Sequence, residues 1–278
     1  MYRTFARWGR PLVLYALVLF FLFWTVAPVA WIAIMSVQPE INYISVPPHL
    51  RLADTSLRWY QQTLADDSHI SALRTSFIVA TATMLVCLTL GALAAYPLAR
   101  LRIPGKNIFL VFTLATRMVP AIILIIPMFL LIRNLHLLDS YAALIAVYST
   151  FLLPYVIWML KNFFEQIPYS LEAAARMDGC SRLGALFRVI IPVSAPGVVA
   201  TAIFAFIGAW NEFLFGLILS NRTAVPITVK LSGLVGGTFH TDNSLVAATG
   251  MLAIVPVIAL VFLLNRYIVR GLVEGVKY

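Results

Sequence analysis

Charge is what this sequence has least of: Asp, Glu, Lys and Arg make up 11% of its 278 residues while 62% are hydrophobic, and soluble domains carry roughly a quarter charged. A water-soluble globule is excluded, and a chain built to sit in membrane lipid is implied. Cysteine is scarce too. Cys87 falls in an apolar run and Cys180 in a polar loop, so neither a disulfide framework nor a metal cluster is supported. The four histidines, His49, His69, His136 and His240, stand singly without H-E-x-x-H spacing and read as surface residues. There is no G-x-x-x-x-G-K-[ST] phosphate loop, which excludes ATP binding by that fold. No nucleophile–base constellation for an intramembrane enzyme, no internal repeat, no low-complexity tract and no interdomain linker can be placed.

What is abundant is apolar sequence in long runs: 12–37, 77–99, 108–132, 140–160, 198–219 and 245–264. Each reaches the about 20 residues needed to cross a bilayer. The expected fold is therefore all-α and polytopic, with six transmembrane helices in 12–268 between short tails, 1–11 and 269–278. The first run is too long for a cleaved signal peptide, whose apolar core is about 7–15 residues, and is expected to be retained. The fifteen prolines and fourteen glycines predict kinks within spans.

The net charge of +9 does not point to nucleic acid, because the basic residues cluster at the ends of apolar runs. Thirteen of the twenty lie in the two tails and in the second-to-third and fourth-to-fifth loops, and six lie in the other three loops. The positive-inside rule then places both termini in the cytoplasm.

The predicted cytoplasmic loop 161–192 reads KNFFEQIPYSLEAAARMDGCSRLGALFRVIIP. Ser170 is expected to cap a helix over 171–177, Gly179 to end it in a left-handed conformation, and Ser181 to cap a second helix running to Pro192. Three small residues, Ala173, Ala174 and Ala175, would let the first helix approach a groove on another protein. On its residues alone the segment is equally an ordinary capped connector.

The same segment resembles the EAA loop of binding-protein-dependent ABC importers: Glu-Ala-Ala, three free positions, Gly, nine free positions, Ile, one free position, Leu-Pro. Gly179 and Pro192 have the required separation, Ala174 and Ala175 match the two alanines, and Val189 and Ile191 stand for Ile and Leu. The family's glutamate position holds Ala173, with Glu172 one place earlier. Stretches like LRWYQQTL and AAYPLARLRIPG between 57 and 105, WNEFLFGLIL at 210–219 and RYIVRGLVEGVKY at 266–278 are similar to carbohydrate permeases of the maltose-transporter type. The resemblance implies a type I ABC importer permease fold in a bacterial-type inner membrane. Implied partners are a second permease, two ATPase subunits that hold the ATP and magnesium, and an extracytoplasmic sugar-binding protein. This chain would carry no cofactor and no catalytic residue. Residues of the coupling contact would be Glu172, Ala173, Ala174, Ala175, Met177, Asp178 and Gly179, with 271–278 as a secondary contact.

Two charges fall inside predicted spans, Arg117 and Glu212, where each costs at least about 2.5 kcal/mol on insertion scales. With Asn211 and the aromatic face of Trp210 they are candidates for a translocation pathway. The alternatives are packing roles: Glu212 paired with a basic group near a membrane face, Arg117 bonding carbonyls freed near Pro120. The outward loop 220–244, with Gly233, Gly236 and Gly237, reads as flexible, and the resemblance implies that it contacts the binding protein. Rival readings are an ABC permease for a non-sugar solute and a gradient-coupled secondary carrier. A carrier would place several acidic groups near the bilayer midplane, whereas Glu212 is the one acidic residue in a predicted span.

Overall fold

A computed structural model describes the backbone of residues 2–235 and 242–274 and, within them, the side chains of 13–235 and 242–264. No strand occurs among the described residues. The first seven helices are α1 (Tyr2–Met35), α2 (Glu40–Ile44), α3 (Arg58–Ala65), α4 (Asp67–Arg100), α5 (Lys106–Ala115), α6 (Ile125–Asn134) and α7 (Tyr141–Glu165). There follow α8 (Tyr169–Met177), α9 (Arg182–Ala185), α10 (Ile191–Val193), α11 (Ala195–Trp210), α12 (Leu214–Leu219), α13 (Ile227–Val235) and α14 (Asn243–Glu274).

Four helices are long and apolar enough to cross a membrane: α1, α4, α7 and α14. Two further pairs, Lys106–Met118 with Ala121–Asn134 and Arg182–Val193 with Ala195–Trp210, qualify only together, each bent by 86°. The count is thus four, or up to six if each bent pair is one span. The first bend follows from Pro120, which has no N–H and forces its predecessor out of the helical region; Val119 sits at φ −71°, ψ 120°. The second falls at Ser194, whose hydroxyl turns back to the Ile190 carbonyl at 2.6 Å. The fifth apolar run, expected as one helix over 198–219, is divided at 211–213 into α11 and α12. The sixteen residues of α11 rise only about 24 Å, short of the about 30 Å hydrocarbon core. Both expected tails continue their neighbouring helices, α1 from Tyr2 and α14 through Glu274.

The chain forms two compact units, 1–69 with 233–254 and 70–232 with 255–278. In the first, the expected outward loop is folded around polar side chains. Gln38 donates from Nε2 to the Arg51 carbonyl and to Thr55 Oγ1, at 2.9 and 3.0 Å. Ser244 donates to the Gln38 carbonyl at 2.8 Å, and Trp59 Nε1 donates to Asp242 at 2.6 Å. His69, expected at the surface, is buried against Asp66 at 2.9 Å; the α4 helix starts ten residues before its apolar run and carries His69 into the packing.

In the second unit α7 packs against α11 through glycine. A Cβ on Gly208 would come 2.7 Å from Leu152 Cδ2, and one on Gly197 would collide with the Phe163 ring, so glycine permits the close helix approach. Asp139, at φ 58°, clasps the 221–224 loop. Its carboxylate accepts the N–H groups of Asn221, Arg222, Thr223 and Ala224 and the Thr223 hydroxyl. Partial burial pushes its pKa up, but these bonds outweigh it and hold the group well below the usual carboxylate range.

Candidate functional site

The candidate coupling segment is a short helix bolted to the end of a long one. Pro168, at φ −56° and ψ 134°, precedes α8 without any side-chain cap. The helix therefore opens at Tyr169, and Ser170, expected as its cap, lies inside the first turn. One face turns inward: Glu172 and Ala175, three residues apart, are both buried. Glu172 Oε1 accepts the Tyr96 hydroxyl at 2.5 Å, and Oε2 lies 3.3 Å from Arg100 Nε. Arg100, whose side chain is 1% exposed, also donates to the Ile167 carbonyl at 2.8 Å and covers the Tyr169 ring at 4.7 Å. Tyr169 in turn donates to the Ala99 carbonyl at 3.2 Å. A buried charge pair loses about 3–5 kcal/mol when one partner is removed, so this cluster ties α8 to the last turn of α4.

The opposite face of α8 is open. Ala173, Ala174, Arg176, Met177, Asp178 and Gly179 are exposed, Met177 to 88%. Gly179 has φ +86°, as expected of a left-handed helix end, and the Cys180 N–H reaches back to the Ala175 carbonyl at 3.0 Å. Ser181 accepts the Gly184 N–H at 3.1 Å and caps α9. Helical backbone then continues through one π turn, Leu186–Ile190, to Pro192. Sequence reasoning does not find Tyr96 and Arg100 as site residues. There Arg100 counts only for the sign of its charge, although both lie in the AAYPLARLRIPG stretch.

The two charges expected inside spans meet at one cavity of about 160 Å³, lined by Arg117, Tyr148, Phe151, Gly208, Glu212 and Phe215 among others. Arg117 donates to the Phe151 carbonyl of α7, not to carbonyls near Pro120. Glu212 occupies the break before α12, and its carboxylate accepts the N–H groups of Phe215 and Gly216, both at 3.0 Å. That is a capping role at a helix N-terminus, where negative charge is favoured. Trp210 does not line this cavity: it is 4% exposed and stacked on Phe206 with ring centroids 5.7 Å apart. Asn211 is exposed at the end of α11. Gly233 is exposed within α13, so part of the loop expected to be flexible, Ile227–Val235, is helical. Gly236 and Gly237 lie outside the described residues. Among the described residues no cluster of His, Cys, Asp or Glu could hold a metal ion.

The same architecture occurs in a bacterial ABC transporter involved in import of the acidic polysaccharide alginate, with a TM-score of 0.80, 24% identity, and coverage of 96% of this chain and 98% of that one. The sulfoquinovosyl glycerol transport system permease protein of Agrobacterium fabrum is 36% identical over 255 residues, 89% of this chain and 87% of that protein. The trehalose transport system permease protein of Mycobacterium tuberculosis is 36% identical over 252 residues, 89% and 90% of the two chains. The trehalose/maltose transport system permease protein of Thermococcus litoralis is 32% identical over 253 residues, 89% and 90%. Residues 87–274, which contain α8, the cavity and most of the helical core, match the binding-protein-dependent transport system inner membrane component family, and the chain belongs to that family.

Proposed function

We propose that this chain is a non-catalytic permease subunit of an ATP-driven importer for a sugar, with α8 as its coupling helix. The chain crosses the membrane six times, two spans being the bent pairs, with both termini and α8 on the cytoplasmic side, as the lysine and arginine bias requires. It pairs with a second, similar permease above two ATPase subunits, which bind the ATP and magnesium. A binding protein delivers the sugar from outside, against the 220–244 region that includes Gly233. The relatives named for trehalose, maltose and sulfoquinovosyl glycerol support a sugar cargo.

The observation that carries this reading is the two-faced α8. Its outer face, with Ala173, Ala174 and Met177, offers little side-chain bulk near the backbone beside one adaptable apolar side chain, suited to a groove on the ATPase. Its inner face is locked by Glu172 to Arg100 and Tyr96. When ATP closes the motor, movement of α8 is handed to α4 and the pathway opens outward. ATP does this by binding the closed motor better than the open one. Glu172 is spent within the chain, so contact with the motor falls to its exposed neighbours.

The test is reconstitution in vesicles. The full complex is expected to import a sugar held by the binding protein only with ATP, while the chain alone imports nothing under a proton or sodium gradient. Gradient-driven uptake by the chain alone would overturn the proposal. A binding protein stabilised only by amino acids or peptides would remove the sugar and leave the importer.

A further inference from the structure

The last residue of α4, the turn to α5 and the first residue of α8 border a second cavity, of about 520 Å³, within the about 300–1,000 Å³ of small-molecule sites. Arg100, Arg102 and Lys106 line it together with Ile103, Pro104 and Tyr169, and no acidic residue does. Arg100 is committed elsewhere: its buried guanidinium faces Glu172 and bonds the Ile167 carbonyl, so it contributes charge and no free donor. Arg102 is exposed, and among the described residues its side chain has neither hydrogen bond nor ion pair. Lys106, whose side chain is 30% exposed, reaches the Leu98 carbonyl at 3.2 Å and stands 4.0 Å from Glu165, a carboxylate already 2.7 Å from Lys161. Four cations, Arg100, Arg102, Lys106 and Lys161, thus meet two carboxylates, Glu165 and Glu172, and two positive charges are left unmatched.

The start of α5 adds to this field. Its first turn follows Gly105, at φ 78°, without a side-chain cap, and a helix N-terminus favours an anion. A Cβ on Gly105 would meet no atom within 4 Å, so the backbone there is open to an approaching group. The rest of α5 indicates which kind of anion fits. Ile108, Val111 and Phe112, at i, i+3 and i+4, share one face of the helix, and all three are exposed, as is Ile103 in the turn. A soluble phosphate has no use for an apolar stripe leading away from a basic cavity. A phospholipid presents a charged head and then acyl chains, in that order, and basic pockets between spans on the cytoplasmic side suit anionic head groups.

We infer that this cavity holds the phosphate of an anionic phospholipid, with Arg102 and Lys106 as its contacts, Arg100 supplying further charge, and the acyl chains lying along Ile108, Val111 and Phe112. This rests on the cytoplasmic side proposed for the α4–α5 turn. The cavity shares Arg100 and Tyr169 with the junction of α4 and α8, so the bound lipid sits beside the coupling contact and takes no part in carrying cargo.

The experiment is native mass spectrometry of the assembled complex, both permeases with the ATPases, equilibrated with phosphatidylglycerol or with phosphatidylcholine. Wild type is expected to hold one phosphatidylglycerol more tightly than phosphatidylcholine. The double variant Arg102→Gln with Lys106→Gln should weaken that binding about fivefold for each charge removed, while Arg102→Lys with Lys106→Arg should keep it. The intact mass shows in the same spectrum that each variant has assembled. Equal affinity for phosphatidylglycerol in wild type and the double glutamine variant, or no preference over phosphatidylcholine, overturns the site. Displacement of the lipid by inorganic phosphate but not by chloride at matched ionic strength makes it a soluble-anion site and overturns the lipid assignment. ATP-dependent uptake by the same complexes tests the transport reading separately: a charge-dependent lipid preference in a complex that imports nothing supports the lipid site and overturns only the transport.

Discussion

Glu172 shows how a single residue carries more than its sequence position suggests. Its place one residue before the expected glutamate position is legible in the sequence, and so are Gly179 and Ser181, because left-handed glycine and serine caps are local chemistry. The partners of Glu172 are not legible, since Tyr96 and Arg100 lie more than seventy residues away in sequence and only packing brings them near. Glu172→Ala should leave Arg100 buried without its counter-charge and lower stability by about 3–5 kcal/mol, read as a drop in thermal unfolding temperature. The double variant Glu172→Met with Arg100→Met should regain most of that stability, because apolar replacement of a buried pair is often neutral or better. It should still couple poorly, and full ATP-dependent uptake by the double variant would show that the cluster does not transmit motion. Gly179 separates strain from docking. A methyl group added there would meet no atom within 4 Å, so Gly179→Ala should cost only the left-handed backbone penalty of about 1–2 kcal/mol. Gly179→Arg adds bulk on the outer face and should abolish uptake while ATP hydrolysis continues in the assembled complex.

At the scale of elements, hydropathy locates every long helix but not the breaks. Period and length see apolar content, and 108–132 and 198–219 are apolar throughout most of their lengths. Pro120 is a visible signal for the first bend. The interruption at 211–213 has no proline, and only the adjacent Asn211 and Glu212 hint at it; the Glu212 carboxylate then rebuilds the start of α12. The Asp139 clasp is a second element-level device that sequence could not reveal, because its donors are backbone groups of a loop eighty residues on. Its folded pKa is depressed, so its contribution is present above the unfolded carboxylate value of about 3.9 and is lost as pH falls through the depressed folded value. Asp139→Asn is therefore expected to lower the unfolding temperature at neutral pH, with the gap to wild type narrowing as pH drops below about 4. An equal gap at all pH values would show that the carboxylate charge is not what holds the loop.

For the whole molecule, family membership and the two faces of α8 converge on one mechanical claim: the outer face is gripped from the cytoplasm by an ATPase, and the inner face passes the motion to α4. Composition reveals the membrane, and charge placement the expected orientation. What it could not reveal is which side of α8 faces a partner, because that depends on where Glu172 finds its counter-charge. The most direct measurement uses single cysteines at Ala174 or Met177, in a background with Cys87→Ala and Cys180→Ser, in the assembled complex. Disulfide or short-linker crosslinks to the ATPase should form and change in yield with nucleotide, while a membrane-impermeant thiol reagent added outside intact cells should leave both positions unlabelled. Labelling from outside, or the absence of any crosslink to the ATPase in an assembled complex, would contradict the account.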